Sequence, residues 1–450
     1  RIGYTDGIYM NADGNVVKNC IIQGNLNQPG VTNQNDFGIC VFGENNQIID
    51  NEVFDIGYVG INLTSSNNRG GNTVSGNNVH NIGVYGITVD KSPNNDVAMN
   101  EISNLVGGTL WGEEYLPLES CHAIVVWGAA SEGSVIRENQ LTDVPYGITL
   151  SGALGVYVQE NSMTVDVAGV RIGTGWAGPL SDNNVIVNNN ITGDGTGLLV
   201  NPGSGTIGTN NVFAFNNVYG NVMGAENLGT DPFDARNNWW GDVSGPYHPV
   251  TNTDGQGNAV SDNILFDPWL GIPTAGGEAL DYGNPSYENG DAGLGVDVGF
   301  EGGEEGLVIV TVLGSNPTGL DMFDGSFFDV FVSELGDISE IKIKLYYNEP
   351  SAKVAYWFNG TTWVECSSQQ VVAGPFNIDG TDYAGYVEVT INGTTIPSLT
   401  DLTGTFFALR NSELNKGSLT VNIEPQAAIN AGAKWSVDGG ATWYSGGDTV

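Results

Sequence analysis

Between residues 16 and 240 the hydrophobic and polar positions repeat one phrase: an Asn, one residue and an aliphatic, then a Gly–aliphatic–x–aliphatic segment about nine residues on. Asn51-Glu52-Val53 pairs with Gly60-Ile61-Asn62-Leu63, Asn77-Asn78-Val79 with Gly86-Ile87-Thr88-Val89, and Asn161-Ser162-Met163 with Gly169-Val170-Arg171-Ile172. The recurring Asn positions 51, 77, 100, 139, 161, 189 and 216 are spaced 26, 23, 39, 22, 28 and 27 residues apart. One insertion near 107–121 accounts for the long step. Short period-2 strands at this spacing, with abundant Gly and Asn and no helical period, predict a coil of three short strands separated by turns. Each coil then pairs in parallel with the next. Asn suits the turns because it tolerates left-handed backbone, and stacked copies can bond from rung to rung. Inward aliphatics stack into one core. A leucine-rich repeat would carry Leu at its consensus positions and a helical half, and a propeller blade needs four strands in about 40–45 residues. Neither pattern is present.

The chain is therefore expected to be all-β: a right-handed parallel β-helix over 1–270, followed by an antiparallel sandwich and the start of a further small β module. Residues 271–306, rich in Gly, Asp, Glu, Pro and Tyr, predict a linker. From 307 to 416, alternating runs such as Leu307–Leu313, Phe327–Val332 and Ile341–Tyr347, with a turn at Asn359-Gly360, predict the sandwich. Residues 417–450 read as the truncated opening of another β module. The chain starts at Arg1 without Met and is expected to be a piece of a longer protein.

The repeat resembles the pectin-lyase-like superfamily of right-handed β-helix proteins. The segment Asn237-Asn238-Trp239-Trp240-Gly241-Asp242-Val243-Ser244-Gly245-Pro246, with Asp267-Pro268-Trp269-Leu270 after it, is similar to the closing segment of such extracellular solenoids. Trp239, Trp240 and Trp269 are expected to plug the open end. The phrase Tyr356 to Cys366 resembles a module of prokaryotic surface proteins, which implies an extracellular or cell-surface location.

Charge narrows the partners. With 13 Lys+Arg against 51 Asp+Glu, net −38, nucleic acid is a poor partner, and anionic membranes and polysaccharides are disfavoured unless divalent cations bridge the surfaces. No 18-residue apolar run predicts a membrane span. Four scattered cysteines form neither a disulfide framework nor a metal motif. Sequons at Asn62, Asn190, Asn359 and Asn392 locate no site.

The resemblance implies that any active groove lies along one parallel sheet. The outward residues there are Asn62, Thr88 with Asp90, Val125 with Trp127, Thr149 with Ser151, Arg171, and Leu199 with Asn201. Polygalacturonase-like relatives carry acids on rungs where this chain has Tyr58-Val59-Gly60 and Tyr85-Gly86-Ile87, although Gly169-Val170-Arg171-Ile172 resembles their cationic segment. A glycosidase needs two carboxylates about 5–9 Å apart. A lyase needs a base and a cation together, but Asp90 and Arg171 sit about three rungs apart, roughly 14 Å. The remaining candidate is the insertion. Glu113, Glu114 and Glu119, with Arg171, are the candidate catalytic groups; Trp111, Tyr115, Trp127, Asp90 and His122 are the candidate substrate contacts. The plainer alternative is a loop folded over the sheet with His122 as a turn or core residue. No cofactor is called for, and calcium is the one ion the acids could hold. The expected role is a surface protein engaging polysaccharide or neighbouring surface components without assembled catalytic machinery. The alternatives are a polysaccharide lyase or glycosidase, and a structural spacer or self-assembling fibre subunit.

Overall fold

The computed structural model describes residues 6–24, 37–65, 67–110, 114–174, 180–203, 206–302, 306–313, 324–348, 353–404, 406–411, 420–437, 440 and 442–448, with 6, 109–110, 114–115, 324–326 and 411 as backbone only. The first part is a three-faced parallel solenoid. Its first face runs from Asp6–Met10 through Phe37–Val41, Val59–Thr64, Tyr85–Asp90 and His122–Trp127, and continues to Met223–Asn227. The second face runs from Val16–Lys18 to Val212–Ala214, and the third from Ile21–Gln23 to Asn217–Val218.

Parallel register places one residue of each coil directly on the next. Ile8, Ile39, Ile61, Ile87, Ile124, Ile148 and Val170 form one inward column of the first face. From Ile39 on, this column is fully buried. Stacking like on like removes every aliphatic from water without any helix to cover it.

Two ladders of buried Asn hold the corners. Asn51 accepts from the backbone amide of Cys20, and Asn77, Asn100, Asn139, Asn161, Asn189 and Asn216 each accept from both the backbone amide and the side-chain amide of the ladder Asn one coil before. Asn46, Asn72 and Asn95 form a second ladder at the other corner. The left-handed backbone lies one position before each residue of the first ladder, at Asp50, Gly76, Met99, Glu138, Glu160, Asn188 and Phe215. Both expected uses of Asn occur, divided between neighbouring positions: the ladder Asn supply a paired donor and acceptor to turn amides and carbonyls that would otherwise be unmet, while Asn45, Asn94 and Asn188 beside them take the left-handed backbone.

The insertion is a short antiparallel hairpin of Gly108–Leu110 and Glu114–Leu116 followed by a 3-10 turn at Leu118–Ser120. Leu116 packs against Tyr58, Val59 and Val84. The hairpin therefore covers the start of the first-face strands, at the His122 end, whereas Trp127 closes the same strand at its far end.

The end of the solenoid is plugged as expected by Trp240, which is fully buried in the solenoid core with Trp269 against it. Trp239 does something else: it packs with Val185, Val187, Ala214 and Phe215 of the second face and Leu307 and Ile309 of the sandwich. The expected linker at 271–306 is largely strand. Thr274–Leu280 pairs with Leu307–Leu313 in the six-stranded sheet, and Ser286–Asn289 and Leu294–Phe300 belong to the five-stranded sheet facing it. Gly and acidic residues misled because these strands are flanked by turns, while Ala279, Leu280, Leu294, Val296 and Val298 supply the buried alternation. Beyond the sandwich, the described residues hold a short helix, Gln426–Asn430, and one antiparallel bridge, Trp435 to Tyr444.

Candidate functional site

A cleft of about 300 Å³ opens on the first face, over the coils that end at Trp127. Its floor is one outward column, Cys40, Asn62 and Thr88, placed in line by the parallel register. Thr88 Oγ1 donates to Asn62 Oδ1 at 2.6 Å, and Asn62 Nδ2 reaches Cys40 Sγ at 3.2 Å. All three are buried. The next outward column brings Thr64, Asp90 and Trp127 side by side on neighbouring strands.

The walls are aromatic. Phe37 meets Tyr58 at a ring-centre distance of 5.7 Å, Tyr58 meets Tyr85 at 5.6 Å, and Tyr85 meets Trp127 edge-on at 5.1 Å. Tyr9 and Phe42 pair at 5.2 Å and also line the cleft. Edge-to-face contacts of this kind hold each ring in place.

Asp90 is the single ionisable carboxylate among the described lining residues, and no Lys, Arg or His lines the cleft with it. Its Oδ2 accepts from Thr64 Oγ1 at 3.4 Å. Burial raises its pKa above the usual carboxylate value, against the opposing pull of Lys91 and Thr64.

Of the residues singled out from sequence, Asp90 and Trp127 are Cα partners and line the cleft together. His122 and Arg171 lie further along the same face. His122 Nδ1 and Thr149 Oγ1 share a hydrogen bond of 2.8 Å, and the imidazole stacks on Tyr146 at 4.4 Å. Burial first, and the charge of Arg171 second, lower the His122 pKa to about 3. Arg171 follows Thr149 in register, three coils beyond Thr88, and burial lowers its pKa too. Glu119 is exposed on the 3-10 turn. The backbone of Glu114 and Tyr115 belongs to the hairpin. Trp111 and Glu113, and the side chains of Glu114 and Tyr115, lie outside the described residues. Among the described residues no group of three His, Cys, Asp or Glu is placed to hold a metal ion together. No helix among the described residues is long and apolar enough to cross a membrane.

The cleft residues that sequence reasoning missed are Tyr9, Phe37, Phe42 and Tyr58. Their signal was an aromatic at or beside the edge of successive first-face strands, which becomes a wall only once the coils are stacked. The described lining holds one carboxylate, whereas glycoside hydrolysis uses a pair about 5–9 Å apart.

A family model for the right-handed β-helix region matches residues 3–121. No curated protein matches the chain. Among solved structures, the chain is similar to the Dettilon tailspike protein, at 12% identity with a TM-score of 0.31, over 90% of this chain and 85% of that one. It is also similar to the enzymatically active domain of bacteriophage CBA120 tailspike protein 2, at 10% identity and TM-score 0.35, over 92% and 72%. A third is the tailspike protein of E. coli bacteriophage HK620 in complex with a pentasaccharide, at 10% identity and TM-score 0.27, over 83% and 78%. Scores this low carry nothing about the activity of this chain. The parallel register, the Asn ladders and the family match together make the chain a right-handed parallel β-helix repeat protein, joined to an antiparallel β-sandwich.

Proposed function

We propose that this is a secreted or cell-surface polysaccharide-binding protein whose first-face cleft holds a sugar unit without cleaving it. The observation that carries this reading is the aromatic-walled cleft with an amide and hydroxyl floor, flanked by Asp90. A pyranose has an apolar C–H face that packs on rings such as Trp127 and Tyr9, and a rim of hydroxyls that suits Asp90 and Thr64. A net charge of −38 favours neutral or cationic chains over uronates. The solenoid sets cleft and outer coils on one straight face, so a chain bound at Trp127 can continue towards Arg171.

The experiment is calorimetry of the whole chain against a panel of neutral, cationic and uronic-acid polysaccharides, with reducing ends and unsaturated products followed in parallel. Binding without new ends is expected. Trp127→Ala is expected to weaken binding at least about tenfold, equivalent to one sugar-stacking contact of about 1.4 kcal/mol, with an unchanged circular dichroism spectrum. Product release that disappears in Asp90→Asn would overturn the binding reading in favour of a hydrolase or lyase. Silence across the panel, with ordered polymers under the electron microscope, would favour a spacer or fibre subunit instead.

A further inference from the structure

We propose that the cleft at Asp90 selects an organic ammonium group carried on the glycan, either a methylated amine or a protonated amino sugar. This rests on the glycan-binding reading above and names the class of substituent it takes. The described lining of the cleft carries one carboxylate, five aromatic rings and no positively charged side chain. Tyr9, Phe37, Phe42, Tyr58 and Trp127 offer ring faces, which attract a cation and are indifferent or repellent to an anion.

The floor offers little to an acidic ligand. The Thr88 hydroxyl is directed to Asn62, the Asn62 amide to Cys40, and the Thr64 hydroxyl to Asp90. Asp90 is half-buried without an ion pair to a cation among the described residues. The nearest basic residue in sequence, Lys91, is exposed, sits on left-handed backbone just past the strand and does not line the cleft. A desolvated carboxylate facing aromatic walls is costly by itself, and a bound cation removes that cost while gaining the ring interaction. The field of the whole molecule acts in the same direction, concentrating cations at its surface. A neutral sugar offers the rings its apolar face and the carboxylate a hydroxyl donor; an ammonium group adds an opposing charge that both the rings and the carboxylate attract.

The test titrates the full chain at neutral pH with choline and with its uncharged carbon isostere, 3,3-dimethylbutan-1-ol, and then with glucosamine and N-acetylglucosamine. The charged member of at least one pair is expected to bind at least about tenfold more tightly than its neutral counterpart and to displace bound polysaccharide. Asp90→Asn is expected to bring that ratio to about one with an unchanged circular dichroism spectrum, which separates loss of charge from loss of fold. Preference for choline identifies a methylated amine as the source, and preference for glucosamine an amino sugar. Equal binding of charged and neutral members, or an undiminished ratio in Asp90→Asn, overturns the proposal. If neutral polysaccharides bind through Trp127 while neither amine does, the ammonium inference fails and the glycan reading stands. If an amine binds and no polysaccharide does, the glycan reading fails and the ammonium site stands.

Discussion

The backbone amide of Gly277 donates to Oε1 of Glu160 at 3.1 Å, so the first strand of the sandwich is hydrogen-bonded to the flank of the solenoid. Beside it Glu278 Oε1 accepts from Gln159 Nε2 at 3.3 Å and from Asn284 Nδ2 at 3.1 Å, and the Tyr157 hydroxyl donates to Asp281. Two acidic side chains are thus brought together where the two parts of the chain meet, with Arg137, Glu138 and Tyr287 around them.

This joint is expected to tighten in acid. Burial raises the pKa of both Glu160 and Glu278, and their neighbouring carboxylates add to it. The docked state therefore keeps protons that a separated state releases, so docking weakens as pH rises from the ordinary carboxylate range through the raised values and is level above them. Hydrogen exchange in the peptide spanning 274–281, corrected for intrinsic rates, should show protection falling with pH across that window. Glu160→Gln with Glu278→Gln should flatten the profile, and an unchanged slope in the double variant would count against this account.

His122 gives the opposite slope. Its folded pKa near 3 means the native imidazole stays neutral while the unfolded chain takes up a proton below about 6.5. Stability is then expected to fall as pH drops from about 6.5 towards 3, and to depend on this group little outside that window. Urea midpoints of His122→Phe against the parent chain should differ in slope within the window; parallel curves would show that His122 does not titrate as described.

Asn161 is the best place to break the ladder. Its Oδ1 accepts from the amide and side chain of Asn139 at 3.0 and 2.9 Å, and its Nδ2 donates to the carbonyl of Ile136 at 2.9 Å and to Asn189 Oδ1 at 3.0 Å. Asn161→Ala strands several fully buried polar groups, at about 1–3 kcal/mol each before relaxation. A loss of about 2–5 kcal/mol is expected by denaturant unfolding. Gln140→Ala, exposed on the next strand, should stay within about 0.5 kcal/mol.

Gly60 is expected to resist even a methyl group. A Cβ there would lie 2.6 Å from the carbonyl oxygen of Gly86 and 2.7 Å from Cγ1 of Val79. The equivalent place two coils on is Ala123, so the corner can shift to admit Ala but at a cost. Gly60→Ala should destabilise by about 1–3 kcal/mol and Gly60→Val by more, measured as shifts in the unfolding midpoint.

Much of the solenoid was readable in the sequence because stacking is a local rule repeated. Residues 22–28 apart carry the same burden, so Asn77 and Ile87 announce what Asn100 and Ile124 will do after the insertion is allowed for. The place of Asp90 and Trp127 on the outward side of adjacent coils followed from the same alternation. The strands at 274–300 were not readable, since their Gly and acidic residues resemble a linker until Leu280 and Val296 are seen packed in a shared core. The docked flank had a trace in the sequence: outward positions change from Gln47 and Thr73 to Val185 and Val212 where the sandwich contacts the second face.

By itself, then, the sequence determined the coil: its period, its inward aliphatics and its Asn corners, because each of these depends only on a residue meeting its own counterpart one turn away. Only the tertiary structure decided the cleft and the joint. Tyr9, Phe42, Tyr58 and Trp127 lie on separate coils and become one aromatic wall through the register between strands, and Glu160 meets Gly277 across 117 residues of chain. Contacts of that kind depend on how complete elements pack: Val185 and Val212 mark an apolar flank in the sequence, but not what covers it.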